Sequence, residues 1–134
     1  MNEQPGKVKC HIKIDSGMNR FGLKIKDIEK IKEIYRMKNL NVLGIFSHLC
    51  RVREFGEEPN NYTRIQINNF DEIVEKLEKE GIKVGLKHIM NSFGILRFNN
   101  KKYDLVRPGL LIYGLSPDPN IVKIMLFFPQ KSFY

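Results

Sequence analysis

Apolar residues recur in two rhythms along this chain, and the rhythms alternate. From Val8 to Ile14 the period is two. Val8, Cys10, Ile12 and Ile14 share one face, and Lys9, His11, Lys13 and Asp15 share the other. That pattern predicts a strand, ended by Ser16 and Gly17. From Leu23 the period lengthens. Leu23, Ile25, Ile28, Ile31, Ile34 and Tyr35, with Lys and Glu between them, predict a helix to about Lys38, with Asn39 as its cap. Val42 to His48 reads VLGIFSH, nearly all apolar, as a strand covered on both sides should. A polar loop is expected from about Arg51 to Asn61. Ile65, Phe70, Ile73, Val74 and Leu77 mark a second long helix that ends at Gly81, a residue suited to a C-cap. Leu86 to Met90 reads as a short third strand, and Gly94 to Phe98 as a short helix. Tyr103 to Val106 reads as a short fourth strand, closed by Arg107-Pro108-Gly109. Leu110 to Leu115 suggests a helical turn, Ser116 to Asn120 a loop, and Ile121 to Phe128 a last apolar strand. Residues 1–7 form a turn or a frayed lead-in.

Strands alternating with helices imply parallel pairing and the α/β class. A doubly wound sheet and a (β/α)8 barrel both fit. No GxGxxG or Walker loop is present, which weighs against the nucleotide-binding sheet. A full barrel takes eight strand–helix units and about 250 residues. About four units are legible, so the expectation is a partial (β/α)8 TIM-type barrel, roughly half of one. The length of 134 residues fits a single domain.

Composition adjusts the picture in three ways. At 42% hydrophobic and 28% charged the chain is globular rather than disordered. A net charge of +8 invites a nucleic-acid partner. The lysines, however, are spread over the helices rather than gathered into a patch or arm, so no nucleic acid is expected. A basic surface serves an anionic small molecule equally well. Cys10 and Cys50 form no CxxC pair and are expected to be buried thiols in a reducing cytoplasm. No apolar run approaches the ~20 residues of a membrane helix, and MNEQPGK lacks a signal-peptide core.

Parallel α/β proteins carry their chemistry at the C-terminal ends of strands. Those ends here hold Lys13 and Asp15, then His48, then Asn91 and Ser92, then Arg107 and Gly109. Each has an ordinary reading. Asp15 could cap a turn, His48 could be a satisfied core imidazole, and Asn91-Ser92 could cap the short helix. Arg107 could sit in solvent, and Gly109 could simply provide a turn. At corresponding positions of four successive strands they suggest one polar anion-binding site. N–H groups around Gly109 and Leu110 would suit a phosphate.

Four blocks then become recognisable. HIKIDSGMNRFG, GIFSHLC, KHIMNSFG and VRPGLLIYGLSP resemble the blocks of the alanine racemase family, in that family's order and approximate spacing. The resemblance spans about Lys7 to Pro117. It implies a pyridoxal 5'-phosphate enzyme of fold type III, with a (β/α)8 barrel followed by a β domain. By position, Lys13 matches a lysine that is carbamylated in several members and buttresses the arginine matched by Arg20. Arg20 would contact the cofactor's phenolic oxygen and the substrate carboxylate. His48 would support Arg107, and Arg107 would face the pyridine nitrogen. An arginine there keeps its own proton, its pKa exceeding about 12, so the ring nitrogen should stay unprotonated. Ser92, with Gly109 and Leu110, would bind the phosphate, and Asn91 would line the site. No metal is implied.

The resemblance also shows what this stretch lacks. There is no K-x-N-x-Y-G-H-type block carrying the Schiff-base lysine, and no β domain carrying the opposing tyrosine. Racemisation by two bases needs both. Residues 1–118 therefore correspond to the C-terminal half of the barrel domain. Residues 119–134 are a tail or the start of a next segment, and a truncation or frameshift near residue 120 would explain their poor match. Ser16 stands where the family usually has Thr. The expected function is that of a fragment of an alanine racemase, interconverting L- and D-alanine for cell-wall synthesis as a cytoplasmic homodimer when whole. The isolated chain is expected to be inactive. Two rivals stay open: a serine or broad-specificity racemase, and a non-catalytic half barrel that binds phosphate ligands or a partner chain.

Overall fold

The computed structural model describes residues 6–98 and 103–113. Three strands, β1 (Val8–Lys13), β2 (Leu40–Phe46) and β3 (Leu86–His88), form a parallel sheet in the order β1-β2-β3. Between them run α1 (Ile28–Arg36) and α2 (Glu57–Lys79), and β3 leads into α3 (Ser92–Arg97). Short 3-10 turns cover Ile25–Asp27 and Gly109–Tyr113. This is the partial α/β barrel that the alternation of periods predicts.

The helices bury one face of the sheet. Ile12, Ile14, Ile45 and Ile89 meet Ile31 of α1 and Phe70, Ile73 and Leu77 of α2. The buried positions of α2 are Thr63, Gln66, Ile67, Phe70, Ile73, Val74 and Leu77, the three- and four-residue spacing of a single stripe. Lys32 of α1 is also buried. Its ammonium bridges Glu29 at 2.7 Å and Glu80, just past α2, at 2.5 Å, tying the two helices together. The opposite face of the sheet carries His11 and Lys13 of β1, Phe46 of β2 and His88 of β3. Register sets Lys13 beside Phe46 and Phe46 beside His88. The polar face of the first strand is thus an interior-type face at His11, Lys13 and Asp15, each of which has a partner, while Lys9 is exposed.

A bulge between Cys10 and His11 skips Leu43 and puts His11 beside Gly44. Gly44 is required there by space. A Cβ would lie 2.3 Å from the Leu86 carbonyl oxygen and 2.7 Å from Cε1 and Nδ1 of His11. β2 therefore lets β3 and the His11 ring approach together only because it has no side chain at this point.

Several boundaries differ from expectation. β2 ends at Phe46, so Ser47 and His48 lie beyond it. The first helix is a 3-10 turn followed by α1, and it stops at Arg36. The expected polar loop is helical from Glu57. Gly56 precedes the helix, and Glu57 and Glu58 favour its first turn electrostatically. Pro59 is tolerated there because first-turn N–H groups have no intrahelical partner. The expected strand at Tyr103–Val106 does not form. The Asp104 carboxylate takes the Lys87 N–H at 2.7 Å, and the Asp104 and Leu105 N–H groups both bond the Lys87 carbonyl. That clasp uses both ladder groups of Lys87. Among the described residues, a single parallel bridge, Asn91 with Arg107, stands in place of the fourth strand. Cys50 is exposed rather than buried, its thiol directed at Gln66 Oε1 at 3.4 Å. Gly114 and Leu115, the 116–120 loop and the 121–128 strand lie outside the described residues. Among the described residues no helix is long and apolar enough to cross a membrane.

Candidate functional site

The site is assembled where β1, β2 and β3 end. After Lys13 the chain turns sharply. Asp15 Oδ1 accepts the N–H groups of Gly17 (3.1 Å) and Asn19 (2.9 Å), an Asx-type clasp that sets the path toward Arg20. Burial opposes ionisation of Asp15, but those two N–H groups together with Lys24 and Lys13 outweigh it and lower its pKa. Its reading as a turn former holds, and Lys13 and Lys24 are its charged neighbours. Lys13 Nζ donates to the Phe21 carbonyl, so it grips the main chain beside Arg20 rather than the guanidinium. Burial lowers the Lys13 pKa; Asp15 opposes the fall, and Arg20 and Arg107 add to it. Arg20 is exposed, its guanidinium 5.9 Å from the centre of the Phe21 ring.

Arg107 is the most heavily tied residue of the group. Its backbone N–H bonds the Met90 carbonyl at 2.9 Å. Nη2 donates to the Ser47 carbonyl (2.6 Å) and the Ile89 carbonyl (3.4 Å). Nη1 donates to His88 Nδ1 and to the His88 carbonyl (3.2 Å). The guanidinium also lies 5.3 Å from the centre of the Phe46 ring. Among the described residues, Nε–H is the guanidinium donor that no protein group takes. Burial lowers the Arg107 pKa.

The imidazole supporting Arg107 is His88, not His48. His88 stacks on Phe46 with ring centroids 5.0 Å apart and planes 2° from parallel, and its Nε2 meets His11 Nδ1 at 2.9 Å. Sequence reasoning passed over His88 as one residue of a short strand. Period-two alternation from Leu86 would have placed it inward. His48 sits just beyond β2. Burial lowers its pKa, and Arg107, Arg20 and Lys13 lower it further, so it lies in their common field as a neutral ring.

His88 is also a pH sensor for the fold. Burial, then Arg107, then His11 depress its pKa from 6.5 to about 4. The unfolded chain thus takes up this proton before the folded chain does. The group's contribution to stability is complete above about pH 6.5 and is lost as pH falls toward about 4. Urea midpoints should decline across that interval, and His88→Asn should flatten the decline. An equal slope in the variant would refute this.

Asn91 links two loops. Its Nδ2 donates to the Leu49 carbonyl at 2.9 Å, and its Oδ1 accepts the Gly94 N–H at 3.0 Å, capping α3. Ser92 Oγ donates to the Pro108 carbonyl. Gly109 closes over it at φ +44°, where a Cβ would come 3.3 Å from Ser92 Oγ. The start of α3, the Ser92 hydroxyl and the Pro108-Gly109 backbone therefore converge.

Residues outside the expected set hold the loops in place. Gln66 of α2 donates from Nε2 to the His48 carbonyl (3.2 Å), and its Oε1 accepts the Cys50 N–H (3.0 Å). Tyr62 and Asn69, on the same helix, donate to the carbonyls of Gly17 and Ser16. Of these three, only Gln66 lies on the buried stripe of α2, where a polar residue is a signal.

Lys13, beside the Asp15 carboxylate and in the field of Arg20 and Arg107, belongs to a cationic cluster that suits a ligand bearing carboxylate or phosphate groups. The family model described as alanine racemase, N-terminal domain, matches residues 1–117. The alanine racemase of Carboxydothermus hydrogenoformans is 37% identical over 113 residues, 84% of this chain and 30% of that protein. The serine/alanine racemase of Enterococcus gallinarum is 35% identical over 113 residues, 84% of this chain and 16% of that protein. Among solved structures, the alanine racemase of Clostridium difficile 630 in complex with cycloserine aligns with a TM-score of 0.80 at 31% identity. The alignment covers 90% of this chain and 33% of that one. The chain thus spans about a third or less of the length of these relatives.

Proposed function

This chain belongs to the alanine racemase N-terminal domain family, and from that premise we propose that it is part of a pyridoxal-phosphate-dependent racemase that interconverts L- and D-alanine. Residues 1–118 would supply the second half of the barrel domain, and residues 119–134 would be a tail or the start of the next segment. The whole enzyme works in the cytoplasm as a homodimer and provides D-alanine for the cell wall.

One observation carries this reading. Arg107 is fixed by four acceptors, yet keeps its Nε–H unclaimed by the described residues. A fixed donor of that kind matches a ring nitrogen that accepts a hydrogen bond and takes no proton. The phosphate would sit against Ser92, Gly109 and Leu110, at the start of α3. Pyridoxal phosphate, when bound, withdraws electrons from the substrate α-carbon and acidifies its proton. Arg20 would hold the substrate carboxylate and the cofactor's phenolic oxygen, and Asn91 would line the cavity. His48, neutral beside three cations, would present an uncharged ring to the cofactor. Lys13 has the lowered pKa that a carbamate-forming amine needs, and a carbamate there would turn toward the Arg20 guanidinium. Serine is the competing substrate, favoured by the name of the Enterococcus gallinarum relative.

The test is a graft. Residues 7–117 of this chain replace the matching third of the Clostridium difficile alanine racemase. The chimera should form D-alanine, and Arg20→Ala should abolish it. A folded chimera that binds the cofactor but racemises neither alanine nor serine would overturn the proposal. The chain alone should form no D-alanine. Cofactor-dependent turnover by it, abolished by Arg20→Ala, would overturn its status as a partial enzyme.

A further inference from the structure

His11 has no part in the function proposed above, yet it ends a chain of hydrogen bonds that begins at Arg107. We propose that His11 is a positioning residue for Arg107. It accepts the Nε2 proton of His88, and so keeps the His88 Nδ1 lone pair facing the guanidinium.

Each donor in this chain fixes the next acceptor. A guanidinium can only donate, so His88 Nδ1, which meets Arg107 Nη1, must carry a lone pair. A neutral imidazole with Nδ1 bare has its proton on Nε2. His88 Nε2 lies 2.9 Å from His11 Nδ1. His11 Nδ1 must therefore be an acceptor as well. A charged His11 would present N–H there and leave His88 with two acceptor demands and one proton, which no neutral ring satisfies. The polarity of all three groups is set by the first.

The surroundings enforce this arrangement. Facing His88 are His11 from β1, Phe46 from β2 and Arg107, with no carboxylate among the groups that shift it. Phe46 is stacked flat against one face of the His88 ring. The bulge at Cys10/His11 and the bare Gly44 admit the His11 ring at the required height. Lys13, two residues along β1, points to the same face but grips the Phe21 carbonyl. Protonating His88 would put N–H against N–H at Arg107 and two cations in contact, so the same chain that aims Arg107 would release it in acid.

The tautomers can be measured without turnover. The full 134-residue chain is labelled with 15N-histidine, and long-range 15N–1H correlations are recorded near pH 7. His88 should show bare Nδ1 and protonated Nε2 without averaging, and His11 should show bare Nδ1. Nδ1–H on His88, or rapid averaging of its two forms, would overturn the proposal. His11→Phe should make His88 average between tautomers. His11→Asn, whose Oδ1 stands near the lost Nδ1, should fix it again. Identical His88 signals in folded Phe and Asn variants would refute the role of His11. If the Phe variant does not fold, the wild-type and Asn tautomers decide. Only the functional consequence rests on the reading of the site: pyridoxal phosphate should bind severalfold more weakly to His11→Phe, and normally to His11→Asn. Tautomers as expected with unchanged affinity would count against Arg107 as a cofactor ligand, not against the chain of hydrogen bonds.

Discussion

Gly44→Ala is expected to destabilise the fold by on the order of 3 kcal/mol, the upper part of the range for overpacking a close-packed site. The added Cβ would lie 2.3 Å from the carbonyl oxygen of Leu86 and 2.7 Å from two ring atoms of His11. A flexible side chain could move aside, but a backbone carbonyl in a sheet ladder can retreat only if β3 moves with it. β3 has three residues, and Gly44, Ile45 and Phe46 supply its pairing. Displacing one of three pairs threatens the whole strand, and with it the placement of His88. The greater helix and strand propensity of Ala over Gly is worth about 1 kcal/mol at most, too little to compensate. Gly6→Ala, where a Cβ meets nothing within 4 Å, is the control and should be near neutral. Urea midpoints compare the two. A cost below about 1 kcal/mol for Gly44→Ala would show that β2 and β3 are not held this closely.

Gly44 also shows where sequence reading stops. VLGIFSH is legible as a strand because its apolar run is continuous, and the three parallel strands with their helices can be read from the alternation of periods. A glycine in a strand is an ambiguous sign, since bulges, bends and close approaches all use it. Which of them applies depends on the register against Leu86, and the sequence does not state register. The Tyr103–Val106 segment fails for a related reason. Its residues suit a strand, but Asp104 offers Lys87 a carboxylate before the backbone can pair. A side-chain bond between residues 17 apart in sequence takes the place of a ladder, and propensity does not weigh that competition. The site divides in the same way. Lys13, His48, Asn91, Ser92 and Arg107 are visible because strand ends are where parallel folds gather polar groups. His11 lies two residues back from the end of β1, and His88 is the last residue of the three-residue β3, where a histidine in a strand carries no mark of its own. Only the closed hydrogen-bond chain distinguishes them. Gln66 is hidden by its neighbours on α2, which read as core.

Arg107→Leu should have the other large effect, on stability and on ligand binding together. Two contributions oppose one another. Burial makes the guanidinium charge costly, as its lowered pKa shows, and leucine removes that cost. Against this, the Ser47, His88 and Ile89 carbonyls and His88 Nδ1 lose their donor. Each buried acceptor left without a partner costs ~1–3 kcal/mol. With four acceptors affected the second contribution should win, for a net loss of about 3 kcal/mol in urea denaturation. Arg107→Lys separates charge from shape. An ammonium keeps the charge, but as a compact point it cannot reach acceptors on both sides of a planar fork. It should recover less than half of the lost stability. Binding should track geometry more closely still. If Nε–H meets the cofactor ring, that bond to a fixed cation is worth ~1.5–3 kcal/mol. Its loss should weaken pyridoxal phosphate binding by about tenfold to a hundredfold in both variants. The lysine variant is the decisive one. If it bound pyridoxal phosphate as well as the parent chain, Arg107 would act through charge alone, and its hydrogen bonds to Ser47, His88 and Ile89 would only hold the strand ends together.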